Sequence, residues 1–217
     1  CPRMLWEKRR CGRPLPKTAR RAKPKGLITL KPSMPRRKLL PIWGIFVDKF
    51  SWCSYRVRGI GMKILYVITQ LGVGGAEVVL VSMANKMVEL GHQVEIVSLL
   101  NINTQKFDDK IDVHILDLKN NSIHASMQFI KIIKNFNPDV VHSHCLHANI
   151  ITRFYRLFCP MKKLITTAHN TYEGQGLIMS LFKYTNFLSN VVTNVSTDAV
   201  LAFEKSGYVK HNQMKVM

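Results

Sequence analysis

From residue 62 onward, short β-branched and apolar runs alternate with stretches whose apolar positions recur every three or four residues. "KILYVIT" (63–69) is an uninterrupted apolar run of strand length, which predicts a strand covered on both faces. Ala76, Val79, Leu80, Met83, Ala84, Met87 and Leu90 follow at helical spacing and predict a helix over 76–90, with Gly91 as its left-handed stop. "QVEIVSLL" and "VHILDL" read as the second and third strands. A helix is predicted over 122–136, with Phe129, Ile132, Ile133 and Phe136 on one face and Lys131, Lys134 and Asn135 on the other. Pro138 stops it. Then come the strand "DVVHSH", a helix near 148–158, the strand "KLITTAH", the loop "NTYEGQG", a helix near 179–188 and the strand "NVVTNVS". Ser196 is the expected cap of a last helix, with Asp198 in its first turn and Gly207 at its end; "MKVM" begins one more strand.

Strands alternating with helices in this way predict an α/β fold: a doubly wound, parallel sheet of six or seven strands. Ligands of such sheets sit outside the carboxyl ends of the strands. Three polar segments are expected there: "QLGVGGAE", "HSHCLH" and "AHNTYEG".

Residues 1–61 break the pattern. They hold seventeen of the 32 Lys and Arg of the chain against only Glu7 and Asp48, are rich in Pro and show no sustained periodicity. Disorder is the expectation for a basic segment that cannot bury a core. Its one dense apolar run, "LLPIWGIFV", is about half the length of a membrane span and contains a proline. No small-x-small cleavage site follows it, which weighs against a signal peptide. A transit peptide and a nucleic-acid arm are the other readings. The expectation adopted is upstream sequence translated in frame, with Met62 as the native start. The five Cys show no pairing or metal spacing, so Cys145 and Cys159 are expected to be reduced thiols of a cytoplasmic protein.

In the first polar segment, Gly74 and Gly75 remove β-carbons that would hold a ligand off the backbone, and they permit positive φ. The helix that follows points its amides and positive dipole end into the crevice, and Glu77 complements that dipole or contacts a substrate. A dinucleotide fingerprint would need a glycine where Glu77 stands and an acid where the second strand ends in Ser98. A nucleotide P-loop would need Gly-Lys-Ser/Thr, which is absent. "HSHCLH" sets His142, His144, Cys145 and His147 at a strand end. No acidic partner lies near them, so no metal is expected; a polar contact with a substrate through His144 or His147 is. His169 ends the next strand, with Asn170 and Glu173 in the loop beyond it, and suits a general base or a hydrogen-bond donor to a sugar or phosphate.

Four segments, "MKILYVITQLGVGGAEVVLVSMANKMVELGHQVEIVSL", "PDVVHSHCLHANIITR", "LITTAHNTYEG" and "TNVSTDAVLAFEKSGY", together resemble the amino-terminal domain of the family-four retaining glycosyltransferases of GT-B fold. The likeness is to the enzymes that build capsule, exopolysaccharide and lipopolysaccharide chains, and it covers residues 62–217. It implies a Rossmann-like acceptor-side domain whose glycine loop, here Gly74 and Gly75, reaches the donor phosphates. It also implies that His169 lines the active site near the transferred sugar and that Glu77 follows the glycine pair as a candidate contact; His144, His147, Asn170 and Glu173 are the further substrate contacts expected from the polar segments themselves. A carboxyl-terminal domain with a Glu-x7-Glu motif would hold the nucleotide sugar; it is missing from this sequence, so the fragment alone is expected to be inactive. No cofactor or metal is implied. The expected partners are a nucleotide-sugar donor, a saccharide or lipid-linked acceptor and an anionic membrane surface, with no nucleic acid, in the cytoplasm at the inner face of the cell membrane. The competing reading is a non-catalytic binding module whose basic arm docks to nucleic acid or anionic membrane.

Overall fold

A computed structural model describes residues 61–171 and 176–217; the expectations for the basic extension and for Glu173 fall outside them. The strands are β1 Lys63–Ile68, β2 Gln93–Ser98, β3 Asp112–Ile115, β4 Val140–His144, β5 Leu164–Ala168, β6 Val191–Asn194 and β7 Met214–Val216. They form one sheet in the order β3-β2-β1-β4-β5-β6-β7, and every pairing is parallel. The helices are α1 Gly75–Glu89, α2 Ser122–Phe136, α3 Leu146–Tyr155, α4 Leu177–Thr185 and α5 Thr197–Lys205, with a 3-10 turn at Asn186–Leu188. This is the doubly wound α/β sheet that the alternation predicted, with seven strands among the described residues.

Local sequence sets the element ends. After α1, Gly91 takes φ 85°; its amide donates to Val88 O and that of His92 to Met87 O, so two end carbonyls are satisfied by a turn that glycine enters without strain. Asn137, at φ 48°, and then Pro138 close α2. Ser196 accepts from the Ala199 amide at 3.2 Å and so caps α5, with Asp198 in the first turn. Two predicted helices change their bounds. Helix α3 begins at Leu146, two residues before Ala148, and ends at Tyr155, well short of Phe158. The last turn of the predicted 179–188 helix is the 3-10 turn, which tightens where Arg153 and Arg156 take its carbonyl and neighbouring oxygens.

Alternation along the strands builds two cores. Ile64, Tyr66 and Ile68 of β1 face α1, which contributes Leu80, Met83, Ala84 and Met87. Leu65, Val67, Val97 and Val141 face the other way onto Phe129, Ile133 and Phe136 of α2. On that second face Ala168 and Val192 continue the layer beneath Leu146 and Ile150, Met179 and Phe182, and Phe203. Each fully buried aromatic or aliphatic side chain contributes on the order of 2 kcal/mol through apolar surface removed from water. Among the described residues no helix is long and apolar enough to cross a membrane.

The feature that positions the site is the reversal of winding between β1 and β4. From β1 the chain moves outward to β2 and β3; it then returns beside β1 as β4 and continues through β5 to β7. The loops leaving β1 and β4 therefore diverge and open a crevice above their carboxyl ends.

Candidate functional site

Three adjacent strands, β1, β4 and β5, deliver the three polar segments to that crevice. In register, Ile68 of β1 lies beside His144 of β4, and His144 beside Thr167 of β5. The glycine loop leaves β1, Cys145 turns β4 into α3, and His169 and Asn170 follow β5. The second and third segments touch through His144 and His169, and the first leaves the strand beside them.

Of the two properties glycine brings to this loop, space and access to positive φ, the structure uses the first. Gly74 is the N-cap of α1 in extended conformation, φ −169° and ψ 168°, and among the described glycines only Gly91, Gly176 and Gly207 have positive φ. Neither Gly74 nor Gly75 uses the positive φ that glycine permits; what they supply is space. A β-carbon on Gly74 would collide with the carboxylate of Glu77, which folds back over the helix start and is buried. At Gly75 nothing lies within 4 Å of the β-carbon position, so that side of the helix start is open to a ligand. Gln105 Nε2 donates to Gly72 O, and Leu71 pairs with Asn103, which fixes the loop from below. Ser98 Oγ donates to Leu100 O at 2.8 Å; no acid stands at the end of β2 to hold a ribose.

Strand β4 continues to His144, so His142 and His144 share a face, as the sequence required for them to act together. Their ring centroids are 4.1 Å apart, and that of His169 is 5.2 Å from His144. Tyr66 packs on both β4 rings, at 5.6 and 5.9 Å. His142 Nε2 lies 2.7 Å from Thr167 Oγ1, which in turn meets Thr193 Oγ1 at 2.6 Å. His144 Nδ1 lies 2.9 Å from His169 Nε2. Burial opposes the charge on all three imidazoles. It pushes His142 down to about 3, with the His169 charge adding to the effect, and His169 down to about 4. His144 is driven well below the usual range by burial and then by its two neighbours. The cluster is neutral at physiological pH. Burial likewise holds the Tyr66 phenol well above its ordinary value, so it stays protonated.

The predicted residues fall at different depths. His169 is half-buried, and Asn170 and His147 are exposed, His147 in the first turn of α3. His144 is fully buried, so its route to any ligand runs through His169. Among the described residues no three His, Cys, Asp or Glu side chains form a set able to hold a metal.

Several supporting residues were not read from the sequence. Asn149 of α3 accepts from Ser143 Oγ at 2.6 Å and donates to Thr167 O at 3.0 Å, locking α3 to β4 and β5. Asn194 at the end of β6 donates to Asn170 O at 3.2 Å and steadies the loop after His169. Cys145 adopts φ 73° and ψ 150°, unusual for a non-glycine residue, and is held there by its amide on Thr167 O. The available signal was spacing: Leu146, Asn149, Ile150 and Arg153 lie on one helical face, so polar groups at 149 and 153 had to be buried with the apolar ones. A separate groove lined by Lys63, His92, Glu95, Asp112, His114 and Lys131 lies at the opposite, amino-terminal edge of β1 to β3 and shares no residue with this site.

The family model for Glycosyltransferase Family 4 matches residues 73–210, more than half of the chain. The chain belongs to that family. Its fold is similar to solved structures of which it spans less than half the length. The sucrose-phosphate synthase of Thermosynechococcus elongatus matches with 10% identity, over 71% of this chain and 47% of that one, at TM-score 0.52. Anabaena HepE in complex with UDP-glucose matches with 14% identity, over 72% and 43% of the two chains, at TM-score 0.54. The apo lipopolysaccharide outer core galactosyltransferase WaaB matches with 14% identity, over 71% and 45%, also at TM-score 0.54. Comparison with curated proteins returns no match. The doubly wound sheet described above is therefore the Rossmann-like fold of a Glycosyltransferase Family 4 domain.

Proposed function

We propose that this domain forms the acceptor-side wall of a glycosyltransferase that moves a sugar from a nucleotide-sugar donor to a saccharide or lipid-linked acceptor in surface polysaccharide synthesis. The observation that carries the reading is that two groups stand at the carboxyl ends of the strands flanking β4 in a Family 4 sheet: the open helix start at Gly75, after β1, and the half-buried His169, after β5. Helix amides and dipole at Gly75 suit an anionic diphosphate, and a neutral imidazole suits a sugar hydroxyl or a phosphate oxygen. Glu77 orders the helix start, while His147, exposed in the first turn of α3, and Asn170, exposed on the loop after β5, would touch the acceptor or the donor sugar. His144 acts from beneath. The groups that neutralise the departing diphosphate belong to a second, donor-binding domain, so residues 62–217 alone would turn over no nucleotide sugar. No metal or cofactor enters this reading.

The setting follows from the acceptor: the cytoplasm, at the inner face of the membrane. The exposed Phe158, Tyr184 and Phe187, with Lys183 interleaved, support contact with an anionic lipid surface.

The test joins the domain to a donor-binding domain and measures release of nucleoside diphosphate across a panel of nucleotide sugars and acceptors. His169→Ala should lower kcat by roughly 10²-fold while unfolding free energy changes by less than about 1 kcal/mol. Gly75→Trp should abolish turnover by filling the open side of the helix start. Wild-type turnover in both variants would overturn the reading.

A further inference from the structure

Three imidazoles in contact, two of them fully buried and the third half-buried, raise a question that their neutrality makes sharp: which nitrogen holds each proton. A neutral imidazole has one N–H and one bare nitrogen. Only one proton can lie between His144 Nδ1 and His169 Nε2, 2.9 Å apart. If it sat on His169, then His144 would carry its own proton on Nε2. That atom is buried and has no hydrogen-bond partner, so the arrangement would leave an N–H donor unmade inside the protein. If the proton instead sits on His144 Nδ1, the buried Nε2 is a bare acceptor. Orphaned buried N–H groups are the rarer defect, and an unmade donor costs its full desolvation. The second arrangement is therefore the stable one.

We propose that His144 is a positioning residue that fixes the tautomer of His169: it donates its Nδ1 proton to His169 Nε2, so His169 carries its own proton on Nδ1 and meets substrate as a donor. This rests on the reading above that His169 touches substrate, and it decides between the two roles the sequence left open. With Nε2 occupied by His144 and Nδ1 protonated, neither nitrogen is available as a base. A protonated Nδ1 is a donor, and a donor suits the oxygen of a phosphate or a sugar hydroxyl. The fully buried ring of His144 cannot swing away, because Tyr66 and His142 pack against it, with centroids at 5.9 and 4.1 Å.

The tautomer is observable without turnover. In the full chain labelled with 15N-histidine, long-range nitrogen–proton spectra at pH 7.5 distinguish a protonated ring nitrogen from a bare one. The expected result is a protonated Nδ1 and a bare Nε2 on His169. His144→Phe, which keeps ring volume but removes the donor, should convert His169 to a mixture dominated by the Nε2–H form. His144→Asn, whose amide N–H can stand near the former Nδ1, should restore the wild-type pattern. A protonated Nε2 on His169 in the wild-type protein overturns the proposal, and that spectrum decides even where a variant fails to fold. If the spectrum is as expected but His169→Ala leaves turnover of the complete enzyme unchanged, the positioning stands and the substrate contact falls.

Discussion

At the scale of single residues, the pair Gly74 and Glu77 shows how one side chain decides what another may be. Backbone conformation does not demand glycine at position 74, since its φ is that of extended chain. What demands it is the carboxylate of Glu77, lying where a β-carbon would be. The two positions should therefore be coupled. Gly74→Ala should cost up to about 1 kcal/mol in the wild-type background, because Glu77 must leave its buried seat, and clearly less in a Glu77→Ala background, where nothing is displaced. Urea denaturation of the four proteins of this cycle measures the difference. Equal costs in both backgrounds would show that Gly74 is needed for something other than Glu77. Gly75 contrasts with its neighbour: no contact within 4 Å and no positive φ requires it.

At the scale of elements, Arg153 holds the second helical layer together. Its Nε donates to Ser189 Oγ at 2.8 Å, Nη1 to Phe182 O at 3.0 Å and to Thr185 Oγ1, and Nη2 to Thr166 Oγ1 at 2.8 Å. The guanidinium also stands 4.4 Å from the centroid of the Phe182 ring. One side chain of α3 thus binds α4, the end of the 3-10 turn and β5. Burial brings its pKa down to about 9, still high enough to keep the charge at neutral pH. Neutral oxygens and an aromatic face replace the carboxylate that usually accompanies a buried cation. Arg153→Met would fill much of the volume but leave the carbonyl and hydroxyl acceptors unmet. The expected loss is about 3 kcal/mol, seen as a lower denaturation midpoint. A change under about 1 kcal/mol would mean that water replaces the guanidinium at little cost.

At the scale of the whole molecule, the histidine cluster links stability to pH. An unfolded histidine takes up a proton near pH 6.5, whereas folded His169 does so near 4 and His142 near 3, in each case because burial disfavours the charge. Between those limits the unfolded chain binds more protons than the folded one. Stability is then fully present above about pH 6.5 and is lost as pH falls, by about 1.4 kcal/mol per pH unit for each histidine that stays neutral. The urea midpoint should hold from pH 8 to 7 and drop steeply between 6 and 4.5. A His142→Asn/His169→Asn variant should show a shallower drop. A midpoint unchanged from pH 7 to 5 would mean that these rings are charged within the fold.

Much of this architecture was readable in order along the chain. Helix α2 spans the residues its periodicity predicted, and Gly91, Pro138, Ser196 and Gly207 mark the ends they were expected to mark. These signals are local: periodicity, capping and dihedral preference act over a few residues, so a single segment contains its own answer. Alternation of strands and helices was enough to predict a parallel sheet with its site at the carboxyl ends. The contacts within that site were of another kind. His144 and His169 are 25 residues apart and touch only because β4 and β5 are neighbours. Arg153 looked like any helical arginine until α4 and β5 closed over it. Gly74 was chosen as a ligand glycine, while the space it leaves holds Glu77 as well. The sequence alone determined which elements form and the order in which they alternate. Strand adjacency and packing alone decided which polar groups are buried together, because hydrogen-bond partners and the desolvation that sets their protonation come from residues distant in the chain.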